Sequence, residues 1–293
     1  MAQTTLSSGD GRSPRTAFVL AGGGSLGAVE VGMLQALLDW GETPTFVVGA
    51  SAGAINAAYF ATEPTRTCTE KLERLWCMLK RRDVLPFNIL GVLRRRGHLV
   101  DSYALRRLLE RHLPYQKLEH AALPVHIVAS DMLTGHEVLL SSGPVIDAVL
   151  ASTAIPGVFP PVQIGSQWLV DGGVANNTPI STAMNLGATR IVVLPTGFAC
   201  ALNRPPPGAV ARAMHALSLL VSRQLAHDAE RFTGARIQLR IVPSLCPLNI
   251  SAYDYSAAAS LITQARASTH QWLAAGGLDR DWVPDQLHDH HHG

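Results

Sequence analysis

At 293 residues the chain is long enough for one large α/β domain or two small ones. With 47% hydrophobic and 16% charged residues and a formal net charge of +2, it has no global field to attract nucleic acid. Its four cysteines (Cys68, Cys77, Cys200, Cys246) lack CxxC spacing and histidines at zinc-finger distance, and read as free thiols in a reducing, cytoplasmic setting.

Residues 1–15 are rich in Ser, Thr, Gly and Arg without an apolar core, and read as a disordered leader, not a signal peptide. Thr16 to Ala21 is a buried-strand run that ends in Gly22-Gly23-Gly24-Ser25-Leu26-Gly27. The next segment is helical, with Val29, Met33, Ala36 and Trp40 on one face, and Gly41 is placed to stop it. Phe46-Val47-Val48 then leads into Gly49-Ala50-Ser51-Ala52-Gly53 and an alanine-rich helix. That layout is a nucleophile elbow, a strained strand-to-helix turn whose small neighbours Gly49 and Gly53 leave room around the serine.

A helix is expected from Arg66 to Arg81, and another to about His112 with Ser102 as its cap. Between them, Lys80-Arg81-Arg82 and Arg94-Arg95-Arg96 bracket an apolar run with Leu85, Phe87, Ile89, Leu90, Val92 and Leu93. It is too short to span a bilayer, and residues 80–96 read as a peripheral membrane contact. Val125 to Ser130 and Glu137 to Leu140 read as a hairpin, and Asp131 beside Thr134-Gly135 as its turn residue. A helix from Val145 leads to a proline-broken stretch, then Trp168 to Val170 runs as a strand into Asp171-Gly172-Gly173. Asn176-Asn177-Thr178-Pro179 reads as the cap of the following helix, with Pro179 in its first turn. Arg190 to Leu194 and Arg236 to Val242 are late strands; Gly208 to Phe232 and Ser256 to Leu273 are helices. In residues 276–293, His288, Asp289, His290, His291 and His292 read as a disordered tail, not a fixed metal site. Alternating strands and helices imply a mostly parallel sheet covered on both faces.

Three features carry the chemistry. The Gly22–Gly27 loop at a helix N-terminus turns backbone amides into one concavity, which suits an anion. A dinucleotide site would share that glycine pattern. Here, though, the next strand ends in the serine elbow where a ribose-binding carboxylate belongs, and Glu42 lies in the turn before it. Ser51 needs a base, and Asp171, at a strand end beside two glycines, can approach it closely. A Ser-His-Asp triad would ask His215, His227 or His270 to serve, but all three fall in expected helices.

Together Gly22-Gly23-Gly24-Ser25-Leu26-Gly27, Gly49-Ala50-Ser51-Ala52-Gly53 and Asp171-Gly172-Gly173 resemble, in that order, the three motifs of the patatin-like phospholipase family. Ala151 to Pro161 resembles the segment that precedes that family's catalytic aspartate. The resemblance covers about Thr16 to Leu194. It implies a single-domain, three-layer α/β/α fold with a mostly parallel central sheet, here residues 16–275. It also implies a Ser51–Asp171 dyad, an oxyanion hole from the amides of Gly22, Gly23 and Gly24, and a lipid ester as substrate, with no cofactor. Alternatives are acyl transfer through the same acyl-enzyme, or a catalytically silent lipid-binding protein. Family members often carry Arg or Lys where Leu26 stands, so a headgroup contact there is not expected.

Overall fold

The computed structural model describes residues 14–80, 84, 100–198, 200–202, 204–206, 208–232 and 237–279. The peripheral contact expected at 80–96 lies outside these apart from Lys80 and Val84, as do the leader before residue 14 and the tail beyond residue 279.

Five strands run parallel in the centre of the molecule: β1 (Thr16–Leu20), β2 (Phe46–Ala50), β3 (Val125–Asp131), β7 (Arg190–Leu194) and β8 (Gln238–Ile241). Their middle positions are mostly apolar because both faces are covered, and polar residues such as Thr16, Asp131 and Arg190 stand at strand ends. Successive side chains alternate between the faces. Phe18, Leu20, Val47 and Ile127 join one core, made with α1 (Ala28–Asp39), α2 (Ala52–Phe60), α3 (Arg66–Met78), α4 (Tyr103–His112), α5 (Val145–Ser152) and α9 (Ala258–Ala274). Ala17, Val19, Val48 and Val193 join a second core, made with α7 (Ile180–Asn185), which follows the one-turn α6 (Gly173–Asn176), and α8 (Ala209–Phe232). Each fully buried Phe or Leu contributes roughly 1.5–3 kcal/mol relative to exposure.

The remaining strands are antiparallel. β4 (Glu137–Leu140) hairpins onto β3, and β5 (Val162–Ile164) pairs with β6 (Gln167–Val170), which pairs with β3. The sheet order is β5-β6-β3-β2-β1-β7-β8 with β4 beside β3. The register here is informative. Val128 pairs with Ala50 on one side and Leu139 on the other, so β2 and β4 hold opposite edges of β3. Two residues on, Ser130 pairs with both Glu137 and Val170. β6 therefore occupies the edge that β2 has vacated, and runs down it toward the end of β2.

Local expectations fail in instructive places. The helix expected to Arg81 ends at Met78, where Leu79 turns extended. Ser102 stands at the N-cap of α4, but its hydroxyl makes no capping bond; Asp101 Oδ1 accepts the Tyr103 amide at 2.9 Å instead. The proline-rich run concealed β5, whose residues pair only through their neighbour β6. Gly41, at φ 87°, does close α1. No described helix is long and apolar enough to cross a membrane.

Candidate active site

Ser51 joins β2 to α2 with φ 52° and ψ −121°, the one positive-φ non-glycine residue among those described. Such a backbone costs about 1–3 kcal/mol and survives only where its surroundings hold it. Here the Ser51 amide donates to Ser152 Oγ at 2.9 Å, and that hydroxyl donates to the Val128 carbonyl at 2.6 Å. The turn is also tight against β1. A Cβ on Gly53 would lie 2.3 Å from the Leu20 carbonyl oxygen, and one on Gly49 would lie 2.4 Å from that of Gly53.

Asp171 follows β6 and so meets Ser51 from the opposite direction, along the shared edge of β3. Ser51 Oγ donates to Asp171 Oδ2 at 2.7 Å, across 120 positions of sequence. The other carboxylate oxygen accepts the Gly173 amide at 2.8 Å, and the Asp171 carbonyl accepts Ser130 Oγ at 2.8 Å. Gly172 lies so close to β3 that a Cβ there would sit 2.2 Å from the Val128 carbonyl oxygen. Burial pushes the Asp171 carboxyl up from 3.8 to about 6, against the hydrogen bonds from Ser51 and Gly173.

The glycine loop leaves β1 and enters a short 3₁₀ turn (Gly24–Gly27) before α1. Of the three amides expected to face an oxyanion, that of Gly22 is committed elsewhere: it donates to the Asn177 carbonyl at 3.0 Å. Asn177 also donates from Nδ2 to the Gly22 carbonyl at 3.2 Å, and Thr196 Oγ1 donates to the same oxygen at 2.8 Å. Asn177 is thus a clamp on the loop and not a helix cap; Pro179 takes the N-cap of α7. Among the described residues the Gly23 and Gly24 amides make no hydrogen bond. Leu26 is 1% exposed and packs into the core, so the place of a basic side chain is taken by a hydrophobic anchor.

Ser51 and Gly24 open onto a pocket of about 880 Å³, mouth included, running between α2, α3 and α4. Its walls are mostly apolar, with Ile55, Leu75, Trp76 and Leu108 among them, and Tyr59, His112, Thr153, Tyr253 and Tyr255 are among the residues that add polar groups. Burial and neighbouring Arg111 hold His112 below the usual histidine range. Sequence patterning gave no signal for this wall, because its residues come from three helices and from the loops around Ile155 and Tyr253.

The other histidines are elsewhere. His270 lies 3.3 Å from Asp39 Oδ2, in a surface cluster with Arg66 and Arg266, and His215 lines a separate surface hollow with Pro205 and Pro206. Neither these nor His227, on α8, lines the Ser51 pocket. Asp131 is a turn residue, its Oδ1 accepting the Leu133 and Thr134 amides at 2.9 Å each. No group of three or more His, Cys, Asp or Glu side chains among the described residues could hold a metal ion.

The family profile described as patatin-like phospholipase matches residues 18–184. An uncharacterised NTE family protein of Mycobacterium tuberculosis is 35% identical over 163 residues, covering 55% of this chain and 27% of that protein. A second from the same organism is 28% identical over 254 residues, covering 85% and 61%. Mouse patatin-like phospholipase domain-containing protein 6 is 27% identical over 183 residues, covering 62% of this chain and 13% of its own. The chain therefore spans less than two thirds of these relatives. Among solved structures, VipD from Legionella pneumophila aligns with TM-score 0.45 and 16% identity over 89% of this chain and 67% of its own. The profile match runs through all three loops and more than half of the sequence, and on that ground the chain belongs to the patatin-like phospholipase family.

Proposed function

We propose that the protein is a serine acyl hydrolase acting on carboxylic esters of lipids, with residues 16–275 as one catalytic domain. The observation that carries the reading is the 2.7 Å bond to a buried carboxylate from Ser51 Oγ, on a residue that lines an apolar pocket. Ser51 Oγ attacks the ester carbonyl and passes its proton to Asp171 Oδ2, where burial already favours the neutral acid. The Gly23 and Gly24 amides receive the developing oxyanion; one such donor is typically worth about 3–4 kcal/mol in the transition state. Asp171 then protonates the departing alcohol, leaving the acyl group on Ser51, and next takes a proton from the water that releases the fatty acid. The last third belongs to the same unit, because the Ser25 amide donates to the Ala252 carbonyl at 2.8 Å.

A fluorophosphonate probe tests the nucleophile directly. Intact mass should show one adduct on the wild type and none on Ser51→Ala; labelling of both at equal rate would sink the assignment.

The pocket supports an acyl chain as the recognised group. Leu108 is half-buried on its α4 wall, so Leu108→Trp should shorten the available channel. Its kcat/KM for a p-nitrophenyl ester of a sixteen-carbon acid should fall at least about tenfold relative to the butyrate ester, since each buried methylene is worth about 1–3 kcal/mol. Equal losses on both esters would mean that the chain lies elsewhere.

A further inference from the structure

A second cavity lies on the other side of the glycine loop, between Gly22 and α8, and Cys200 and Cys246 both line it. Their sulfurs stand 3.2 Å apart, although the residues are 46 positions apart in sequence. Both are half-buried and unbridged. The loops that carry them are already joined: the Ala201 amide donates to the Leu248 carbonyl at 2.9 Å, and the Leu248 amide donates to Cys200 Sγ at 3.3 Å.

These same loops hold the glycine loop from two sides. Thr196, on the Cys200 side, donates to the Gly22 carbonyl. On the Cys246 side, the Ala252 carbonyl accepts the Ser25 amide, and the Ser251 carbonyl accepts Ser25 Oγ at 3.2 Å. We propose that Cys200 and Cys246 are a modification site: a thiol pair that oxidises reversibly to a disulfide and staples together the two loops supporting the glycine loop. Closing the bond takes the sulfurs from 3.2 Å to about 2.05 Å, a movement within reach of side-chain rotation. In a reducing compartment such bridges are transient and report redox state.

The order of steps follows from the surroundings. Cys200, whose sulfur accepts the Leu248 amide, is the attacking group because Cys246 is the thiol held protonated. Burial and the adjoining Cys200 sulfur push the Cys246 thiol up to about 12, so it stays protonated until Cys200 has reacted. With a low-molecular-weight disulfide such as oxidised glutathione, Cys200 loses its proton and attacks one sulfur. The glutathione S–S bond breaks, a mixed disulfide forms, and one glutathione leaves. Cys246 then gives its proton to solvent, and its thiolate attacks the Cys200 sulfur and expels the second glutathione. Two protein thiols are oxidised and one oxidised glutathione becomes two reduced ones.

The remaining cysteines define the control. Cys68 is buried, and its thiol is pushed up to about 11 by that burial; Cys77 is exposed and would form adducts of its own. The test therefore uses Cys77→Ser protein treated with oxidised glutathione. Intact mass should fall by two hydrogens, and digestion should yield a peptide pair linking Cys200 and Cys246 that dithiothreitol separates. The melting temperature of the bridged form should rise by about 5 °C. Amide exchange at residues 22–27 should slow by at least about tenfold. With Cys246→Ser added, the protein should stop at one glutathione on Cys200. Two glutathiones without a cross-link, or an unchanged mass, would overturn the site. A cross-link that leaves exchange at 22–27 unaltered would overturn its coupling to the glycine loop. None of these readouts depends on ester hydrolysis, so this proposal and the hydrolase assignment stand or fall separately.

Discussion

Ser51→Ala should abolish hydrolysis of a p-nitrophenyl acyl ester, lowering kcat by about four to six orders of magnitude. The size of the effect reflects the loss of a covalent route, not of one contact. The variant should stay folded, because alanine inherits the same backbone and the elbow is held by the Ser152 hydroxyl and by packing around Gly53. The lost hydroxyl bond to Asp171 should lower stability by only about 1–2 kcal/mol. Circular dichroism and thermal melts establish the fold, and turnover establishes the role. Substantial turnover by folded Ser51→Ala would remove Ser51 from the mechanism.

Asp171→Asn should lower kcat by at least about two to four orders of magnitude, since the amide cannot take the Ser51 proton. Its stability should move the other way. Below about pH 4, folded and unfolded wild type both hold the Asp171 proton, and the variant gains nothing. As the pH rises, the unfolded chain ionises first, and stability is lost until the folded carboxyl titrates near 6. Above that, the buried charge costs the wild type about 3 kcal/mol, which the neutral amide avoids. Urea denaturation at pH 4 and pH 8 should therefore show the variant equal at the first and more stable at the second. The same ionisation governs rate: wild-type kcat/KM should fall about tenfold per unit below pH 6. His215→Ala, His227→Ala and His270→Ala should each keep full turnover. A histidine variant as impaired as Asp171→Asn would point to a triad.

Much of this was legible in the sequence. The apolar strands and their alternation with helices imply the parallel sheet, and the elbow reads from two glycines with only small residues between. The resemblance of three ordered loops reached the family. Other features depend on distant partners. Gly22 reads as an oxyanion donor until its amide is found on the Asn177 carbonyl, 155 positions away. Asn177 itself reads as a cap, because an Asn before Thr-Pro has the local chemistry of one. Neither the pocket wall, assembled from three helices and distant loops, nor the Cys200–Cys246 contact has a periodicity or spacing to reveal it.

The edge of β3 shared by β2 and β6 acts as a ruler. Ser51 is indexed to it through Ala50 and Val128, and Asp171 through Val170 and Ser130, so their separation is set by residues of one strand. The chain that travels between them does not enter that measurement. Lengthening the Thr134–Gly135 turn, or grafting a new loop there, should leave the two side chains in contact. A single residue inserted within β3 would offset one mark by about 3.3 Å and turn the following side chains to the opposite face. Variation in this molecule is thus tolerated by the length of its excursions and refused by the graduation of one short strand.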